Sequence, residues 1–181
     1  VLLGNELDEN TMTAPAGSTS PSRWITYYLN TRYFGFPPGI TVRAREGWDN
    51  PKSDNKRNVL RTIIGQRQYL NEHASASGSL NLTGAAAHWW ILRKDSTIGS
   101  MSGLIASSGH AAALYQNELY EMSTGRAGTA RLQNFGIIFG YSQVVIYIEP
   151  TPALGERLSS NTARTHLLVD GEPLPWADWA A

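Results

Sequence analysis

The stretch Gln143-Val144-Val145-Ile146-Tyr147-Ile148-Glu149 contains one of the longest apolar runs of the chain. β-branched and aromatic residues favour strands, and a strand that is apolar on both faces is typical of the centre of a sheet. Pro150 and Pro152 end this strand, because proline cannot donate a hydrogen bond to a ladder. We therefore expect a sheet built around residues 143–149, with residues 136–140 as the strand paired to it.

Two hairpins are predicted upstream of this strand. Residues 79–82 and 88–93 are joined through Thr83-Gly84-Ala85, and residues 111–115 and 119–122 are joined across Gln116-Asn117-Glu118. Short connections of this composition favour tight turns between antiparallel strands.

Helical spacing of apolar residues predicts helices on either side of these hairpins. The predicted helices cover residues 22–30, with Ser22 as N-cap, then 58–74 and 126–134, and a further helix begins near Trp176; residues 39–45 alternate like a half-buried strand. The expected fold class is α+β: a central mixed, largely antiparallel sheet built from hairpins, with two or three packed helices.

The two ends of the chain suggest a piece of a longer protein. Val1-Leu2-Leu3-Gly4-Asn5 has the character of a strand, and residues 8–22 are rich in Thr, Ser, Ala, Gly and Pro. The helix that begins near Trp176 has no stop signal before the chain ends. We expect residues 1–22 to form an end strand and linker, and residues 23–181 to form a single α+β domain.

The composition excludes several classes of function. Among 181 residues, 15 Lys and Arg balance 15 Asp and Glu, so no global field attracts nucleic acid or anionic membrane. With no cysteine, the chain has no disulfide, no thiolate zinc site and no cysteine nucleophile. This agrees with a reducing compartment, so a cytoplasmic location is expected. The apolar runs are too short to span a bilayer, and no membrane partner is expected.

The four histidines suggest catalysis at one place only. None stands with another at metal-ligand spacing, so the sequence predicts no metal site. His110 follows Ser107-Ser108-Gly109, and the predicted hairpin brings Glu118 near it. A small hydrolase centred on His110 and Glu118 is therefore one hypothesis, although no Gly-x-Ser-x-Gly elbow supports it.

The most basic surface segment lies between residues 43 and 67. A stand-alone nucleic-acid-binding module is a second hypothesis for it, since lysine and arginine contact phosphates. The residues that would carry the contacts are Arg43, Arg45, Lys56, Arg57 and Arg61. The alternative is an ordinary solvated loop and helix face, which the neutral whole chain favours.

Taken in order, these segments resemble the region that follows the nucleotide fold in ATPases of the gyrase, heat-shock chaperone, histidine kinase and MutL (GHKL) superfamily. Residues 1–5 resemble the last strand of the ATP-binding fold. The later hairpins, the short helix and the strand pair at 136–149 resemble the transducer domain after it. Asn161-Thr162-Ala163-Arg164-Thr165 resembles the Ser/Thr-Arg segment found late in that domain.

The resemblance implies a role without hydrolysis. The helix bearing Glu and Asn, the Asp-x-Gly-x-Gly turn and the Gly-rich lid of the superfamily are missing from the sequence. We expect no cofactor in this chain, while ATP and Mg²⁺ are implied for its parent protein. The implied function is a non-catalytic coupling and interaction domain. Its partner would be the missing N-terminal ATPase domain or another protein chain.

In transducer domains of this superfamily a basic residue reaches the γ-phosphate. The resemblance assigns that role to Arg164, with Lys94 as the second candidate. The alternative for both side chains is a surface salt bridge or a helix cap.

Overall fold

The structure is a computed structural model, and it describes residues 14–18, 21–45, 59–94, 103–151, 154 and 157–180. Within these residues the chain forms four α-helices and ten β-strands, so the α+β class predicted from the sequence is confirmed. Among the helices in the described ranges, none has both the length and the apolar character that crossing a bilayer requires.

The described elements begin with the 3₁₀ turn at Pro21 and end with the helix at Ala180. The helices are α1 (Trp24–Arg32), α2 (Gly65–His73), α3 (Gly125–Asn134) and α4 (Trp176–Ala180), and single 3₁₀ turns cover Pro21–Arg23 and Tyr141–Gln143. The strands are β1 (Val42–Arg45), β2 (Leu60–Ile63), β3 (Ala74–Leu82), β4 (Ala85–Leu92), β5 (His110–Tyr115), β6 (Glu118–Ser123), β7 (Val144–Pro150), β8 (Leu158–Ser160), β9 (Leu167–Val169) and β10 (Glu172–Pro173).

The main sheet has five strands in the order β3-β4-β7-β5-β6. Every neighbouring pair is antiparallel except β5 and β7, which run parallel. The sheet is therefore mixed and largely antiparallel, as predicted, and its central strand is the apolar stretch that ends at Pro150. Two smaller sheets, β1-β2 and β10-β9-β8, accompany it.

Both faces of the main sheet are covered. On one face, Ile146 and Ile148 of β7 pack in a cluster with Leu132 of α3 and Trp179 of α4. On the other face, Val145 and Tyr147 pack with residues that include Tyr69 and Leu70 of α2. Alternate residues of a strand point to opposite faces, so an apolar β7 supplies both halves of the core.

The two predicted hairpins are confirmed, and their turns explain the pairing. Gly84, with φ of +75°, turns β3 into β4, and Gln116 and Asn117 adopt φ of 52° and 63° between β5 and β6. Two central residues with positive φ match the right-handed twist of the flanking strands.

The helix predicted over residues 58–74 is wrong in its first half. Residues 60–63 form β2, which pairs with β1, and the helix begins only at Gly65. Gly65 has φ of +72°, and the side-chain Oδ1 of Asn30 accepts hydrogen bonds from the backbone N–H groups of Ile64 and Gly65. A left-handed residue interrupts a helix, so the chain changes from strand to helix at this point.

The strand predicted at residues 136–140 is also wrong. Gly136 and Gly140 have φ of +76° and +66°, which turns the chain away from extended structure, and β7 pairs with β4 and β5 instead. The N-cap of α1 is Arg23 and not Ser22, and it makes no side-chain cap hydrogen bond. The strand predicted at residues 1–5 lies outside the described residues.

Candidate functional site

Glu118, the first residue of β6, is the centre of a charged cluster. Arg32 donates from Nη2 to its Oε2 at 2.5 Å, and Arg164 donates from Nη2 to both carboxylate oxygens at 3.2 Å. The hydroxyl of Tyr120 also donates to Oε2, at 3.0 Å. Partial burial alone would raise the pKa of Glu118, but the Tyr120 hydrogen bond and the two guanidinium groups outweigh it and lower that pKa. Glu118 is therefore a stable carboxylate with two cationic partners.

Arg32 is the inner of these two cations. Its side chain is only 11% exposed, and its Nη1 donates to the carbonyl oxygen of Leu119 at 3.1 Å. Its guanidinium also lies over the ring of Tyr120, 4.2 Å from the centroid. Planar guanidinium groups combine stacking with directed hydrogen bonds in this way. Arg32 is thus fixed against Glu118 by three kinds of contact.

Arg164 is the outer cation, and its backbone is held while its side chain extends into solvent. The side chain is 64% exposed, and the residue has φ of 53°. Asn161 fixes the loop: its Oδ1 accepts from the N–H of Thr165 at 2.8 Å and of His166 at 3.1 Å, and its carbonyl oxygen accepts from the N–H of Arg164. A non-glycine residue held at positive φ carries strain, which is more frequent at functional sites.

Glu121 links this loop to the main sheet. Its N–H donates to the carbonyl oxygen of Thr165 at 2.9 Å, and its own φ of 51° is left-handed within a strand. Its Oε2 accepts from Trp176 Nε1 at 2.7 Å and lies 3.8 Å from Nη1 of Arg131. The pairing of β5 with β6 shifts register in the same region, as happens at a β-bulge. Two strained residues, Glu121 and Arg164, therefore lie on segments that are bonded to each other.

A cavity of about 410 Å³ lies between α1, β6, α3 and the loop of residues 161–166. Its walls combine charged, hydroxyl and apolar side chains: Tyr28, Thr31, Arg32, Leu119, Glu121, Met122, Ser123, Arg131, Thr165 and His166. Arg131 stacks on the ring of Trp176, and its Nη1 is buried without a hydrogen-bond partner. We refer to Glu118, Arg32, Arg164, Glu121 and Arg131 together as the arginine–glutamate cluster.

His110, the first residue of β5, is completely buried. Its Nδ1 lies 2.7 Å from the carbonyl oxygen of Ser108 and therefore carries the proton, so Nε2 accepts from the Tyr147 hydroxyl at 2.8 Å. Burial lowers the pKa of His110 to about 4, against the opposing effect of the Ser108 hydrogen bond. Burial also raises the pKa of Tyr147 well above its usual value. The pair is a neutral hydrogen-bonded unit inside the core.

The structure does not bring His110 and Glu118 together. They begin the two strands of one antiparallel hairpin, so they lie at opposite ends of it, about 17 Å apart along the strand direction. Their hydrogen-bond partners are different residues, Ser108 and Tyr147 for one and the cluster for the other. The shared catalytic centre that the hydrolase hypothesis needs is therefore not formed by these two side chains.

The predicted basic segment is divided between two faces. Arg43 and Arg45 are exposed on one face of the β1-β2 hairpin, whereas Arg61 is paired in register with Ala44 and shares the opposite face. Lys56 and Arg57 lie outside the described residues. Lys94 is exposed just after β4. In the described ranges, no three His, Cys, Asp or Glu side chains are grouped so that they could hold a metal ion.

Sequence reasoning named Glu118 and Arg164 but did not join them, and it missed Arg32, Glu121 and Arg131. Arg32 and Glu118 are 86 positions apart, and Glu118 and Arg164 are 46 apart. No local pattern connects residues at such separations. The only available signal was the placement of Glu118 at a tight turn.

Comparison with known proteins gives no relative from which a function can be transferred. The chain matches no protein-family model. No curated protein and no solved structure matches it either. The function therefore has to be argued from the geometry of the site.

Proposed function

We propose that this chain is a non-catalytic coupling and interaction domain of a larger GHKL-type ATPase, and that Arg164 responds to the nucleotide. One observation carries the proposal: Glu118 holds two guanidinium groups of very different exposure. Arg32 is 11% exposed and Arg164 is 64% exposed. Arg164 can therefore leave Glu118 while the carboxylate keeps a close counter-charge.

The energetics favour exchange of the outer partner. A solvent-exposed ion pair contributes little to stability, because water screens it and two long side chains lose freedom in forming it. A phosphate offers the guanidinium several anionic oxygens in a geometry that suits bidentate hydrogen bonds. A phosphate presented next to the 161–166 loop thus competes well with Glu118 for Arg164.

The backbone beneath Arg164 supports this role. Asn161 and the Thr165–Glu121 hydrogen bond fix the loop to β6, so the side chain moves from a rigid base. Preorganised bases of this kind reduce the entropy lost when a contact forms. Movement of Arg164 away from Glu118 changes the charge balance at β6, which borders α1 and α3 through the cavity.

An exposed apolar segment supports an interaction role. Ile138, Phe139 and Tyr141 are all exposed, and Phe139 reaches 87%. Ile138 and Phe139 lie in the turn between Gly136 and Gly140 that follows α3, and Tyr141 begins the 3₁₀ turn after it. Neighbouring apolar side chains in water are candidates for burial against a partner, since burial of apolar surface is favourable. In the proposed parent this surface lies against the nucleotide-binding domain.

In this proposal the chain performs no chemistry on ATP. The partner domain holds ATP and Mg²⁺, and this chain contributes one cation and a docking surface. Asn161 holds the loop that carries Arg164, and Arg32 balances the negative charge of Glu118.

The proposal is tested by binding of this chain to the nucleotide-binding domain of the proposed parent protein. We expect association to be stronger with a non-hydrolysable ATP analogue than with ADP. Arg164→Ala should lower the affinity measured with the ATP analogue about tenfold, because only ATP presents the terminal phosphate. The affinity measured with ADP should not change.

The matched control is Arg157→Ala. Arg157 is also an exposed arginine in an ion pair, with Asp170, on a different part of the surface. Equal losses from both substitutions would show a general charge effect and contradict the proposal. Failure of the two domains to associate with any nucleotide would contradict it as well.

A further inference from the structure

We propose that β3 pairs antiparallel with β3 of a second copy of this chain, which joins the two five-stranded sheets into one. β3 is a nine-residue strand at one edge of the main sheet. All seven residues from Ser75 to Asn81 are exposed, so the described residues leave this edge open to solvent. An open edge presents a row of backbone N–H and C=O groups that can template another strand.

Within the described residues, this edge carries only one of the devices that prevent such pairing, an irregularity at its start. Its sequence, Ala-Ser-Ala-Ser-Gly-Ser-Leu-Asn-Leu, contains no charged residue and no proline. The one irregularity of the β3–β4 ladder lies between Ala74 and Ala76, at the start of the strand. Natural proteins normally protect long edges with lysine, proline, bulges or a covering segment.

The opposite edge of the same sheet, β6, carries several of these devices. Tyr33 forms an isolated bridge with Glu118 at its beginning, and the Thr165 carbonyl accepts the N–H of Glu121. The left-handed backbone of Glu121 also interrupts the regular strand. One edge of the sheet is thus protected against pairing, and the other is left regular and uncharged.

A second copy is the occupant that fits the β3 sequence. Full overlap of two antiparallel nine-residue strands places the twofold axis at Gly78. Ser77 then lies opposite Ser79 of the partner, and Ala76 opposite Leu80. This buries Leu80, which is 60% exposed, against a small apolar side chain and brings no like charges together.

The ring of Trp89 covers Gly78, the residue at the twofold axis of the proposed pair. Gly78 pairs with Trp89 of β4, and a Cβ added at Gly78 would lie 2.7 Å from the Trp89 ring. The indole therefore occupies the space above the glycine, as in the rescue of edge glycines by aromatic residues. In the pair, the two Trp89 rings lie near each other across the axis on one face of the joined sheet.

The interface is small, and so the dimer is weak. Standard stable interfaces bury about 1,200–2,000 Å², and one strand pair with few large side chains falls below this range. We expect a dissociation constant between about 10 µM and about 1 mM for the dimer. If β3 pairs instead with a strand of a different protein, the purified chain stays monomeric. Sedimentation of the purified chain detects this outcome.

The test is sedimentation of the purified chain over that concentration range. The wild type should shift from monomer towards dimer. The double variant Ser77→Lys/Ser79→Lys should remain monomeric, because four like charges then meet around the axis. The matched control is Ser159→Lys/Ser160→Lys, which adds the same charges to exposed serines of β8 and should still dimerise.

The register is tested by disulfide formation. The chain has no cysteine, so an introduced cysteine is the only thiol in each variant. Ser77→Cys mixed with Ser79→Cys should form the mixed disulfide faster than either variant alone forms its own. A monomeric wild type near 1 mM, or a dimer that the lysines at 77 and 79 do not weaken, would overturn the proposal. A disulfide preference for either variant alone would overturn the register centred on Gly78.

Discussion

Acidification to about pH 5 should destabilise the protein through His110. The folded protein holds this side chain neutral, with a pKa of about 4, whereas the unfolded chain returns it to about 6.5. The unfolded state therefore binds more protons as the pH falls below about 6.5. The free energy of unfolding therefore decreases as the pH falls from about 6.5 to about 4, and His110 causes no further decrease below about pH 4.

The magnitude follows from the difference between the two pKa values. Each pKa unit corresponds to about 1.4 kcal/mol, so the full window is worth about 3 kcal/mol and the step from pH 7.5 to about pH 5 is worth about 2 kcal/mol. The pKa of Glu118 and the pKa of Asp170 are both lowered from values near or below 4.5. These two carboxylates therefore change the free energy of unfolding mainly below about pH 5.

Urea unfolding at about pH 7.5 and about pH 5 measures this loss. His110→Gln is the informative variant, because an amide can donate to Ser108 and accept from Tyr147 but does not titrate. The variant starts from lower stability, so the comparison is the change between the two pH values in each protein. The other three histidines contribute equally to both proteins and cancel.

The wild type should lose about 2 kcal/mol more than His110→Gln between these pH values. Equal losses in the two proteins would refute the assignment of a buried neutral histidine. Tyr147→Phe serves as a control: it removes the hydroxyl that Nε2 accepts from but keeps the burial, so the extra acid sensitivity should remain.

Four further substitutions test the cluster, the core packing and the backbone at Gly65. Arg32→Ala should destabilise the protein by about 3 kcal/mol, since it leaves Glu118 without its inner partner, whereas Arg164→Ala should leave the urea midpoint nearly unchanged. Leu132→Ala, at a fully buried position of α3, should cost about 2–5 kcal/mol by thermal or urea unfolding, and a cost below about 1 kcal/mol would contradict the packing described. Gly65→Ala should destabilise by more than about 1 kcal/mol, because its φ is +72° and its Cβ would lie 2.8 Å from the Phe34 carbonyl oxygen; an unchanged midpoint would contradict that backbone.

The sequence was a good guide where local residue patterns decide the structure. The apolar run of β7 and the turn residues Gly84 and Gln116-Asn117 are local signals, and each predicted strand pair around those turns formed. The helix at residues 58–74 failed because its beginning is set by Asn30, which bonds to Ile64 and Gly65 from 34 and 35 positions away. Apolar periodicity cannot report such a contact.

The candidate site was less predictable for the same reason. Glu118 and Arg164 were assigned to different hypotheses, and only the folded chain places them 3.2 Å apart. The left-handed backbone of Glu121 and Arg164 has no glycine to signal it. Asn161 holds Arg164 by hydrogen bonds within the loop, and the carbonyl oxygen of Thr165 holds Glu121 from 44 positions away, so the two conformations are seen together only in the structure.

The proposed role of Arg164 is tested most directly by ATP turnover of the GHKL-type parent protein that the proposal requires. The account predicts that Arg164→Ala lowers turnover at least about tenfold, while Arg157→Ala, which removes a similarly exposed arginine, stays within about twofold of the wild type. Turnover that is unaffected by Arg164→Ala, or lowered equally by both substitutions, would contradict the claim that Arg164 couples this domain to the nucleotide.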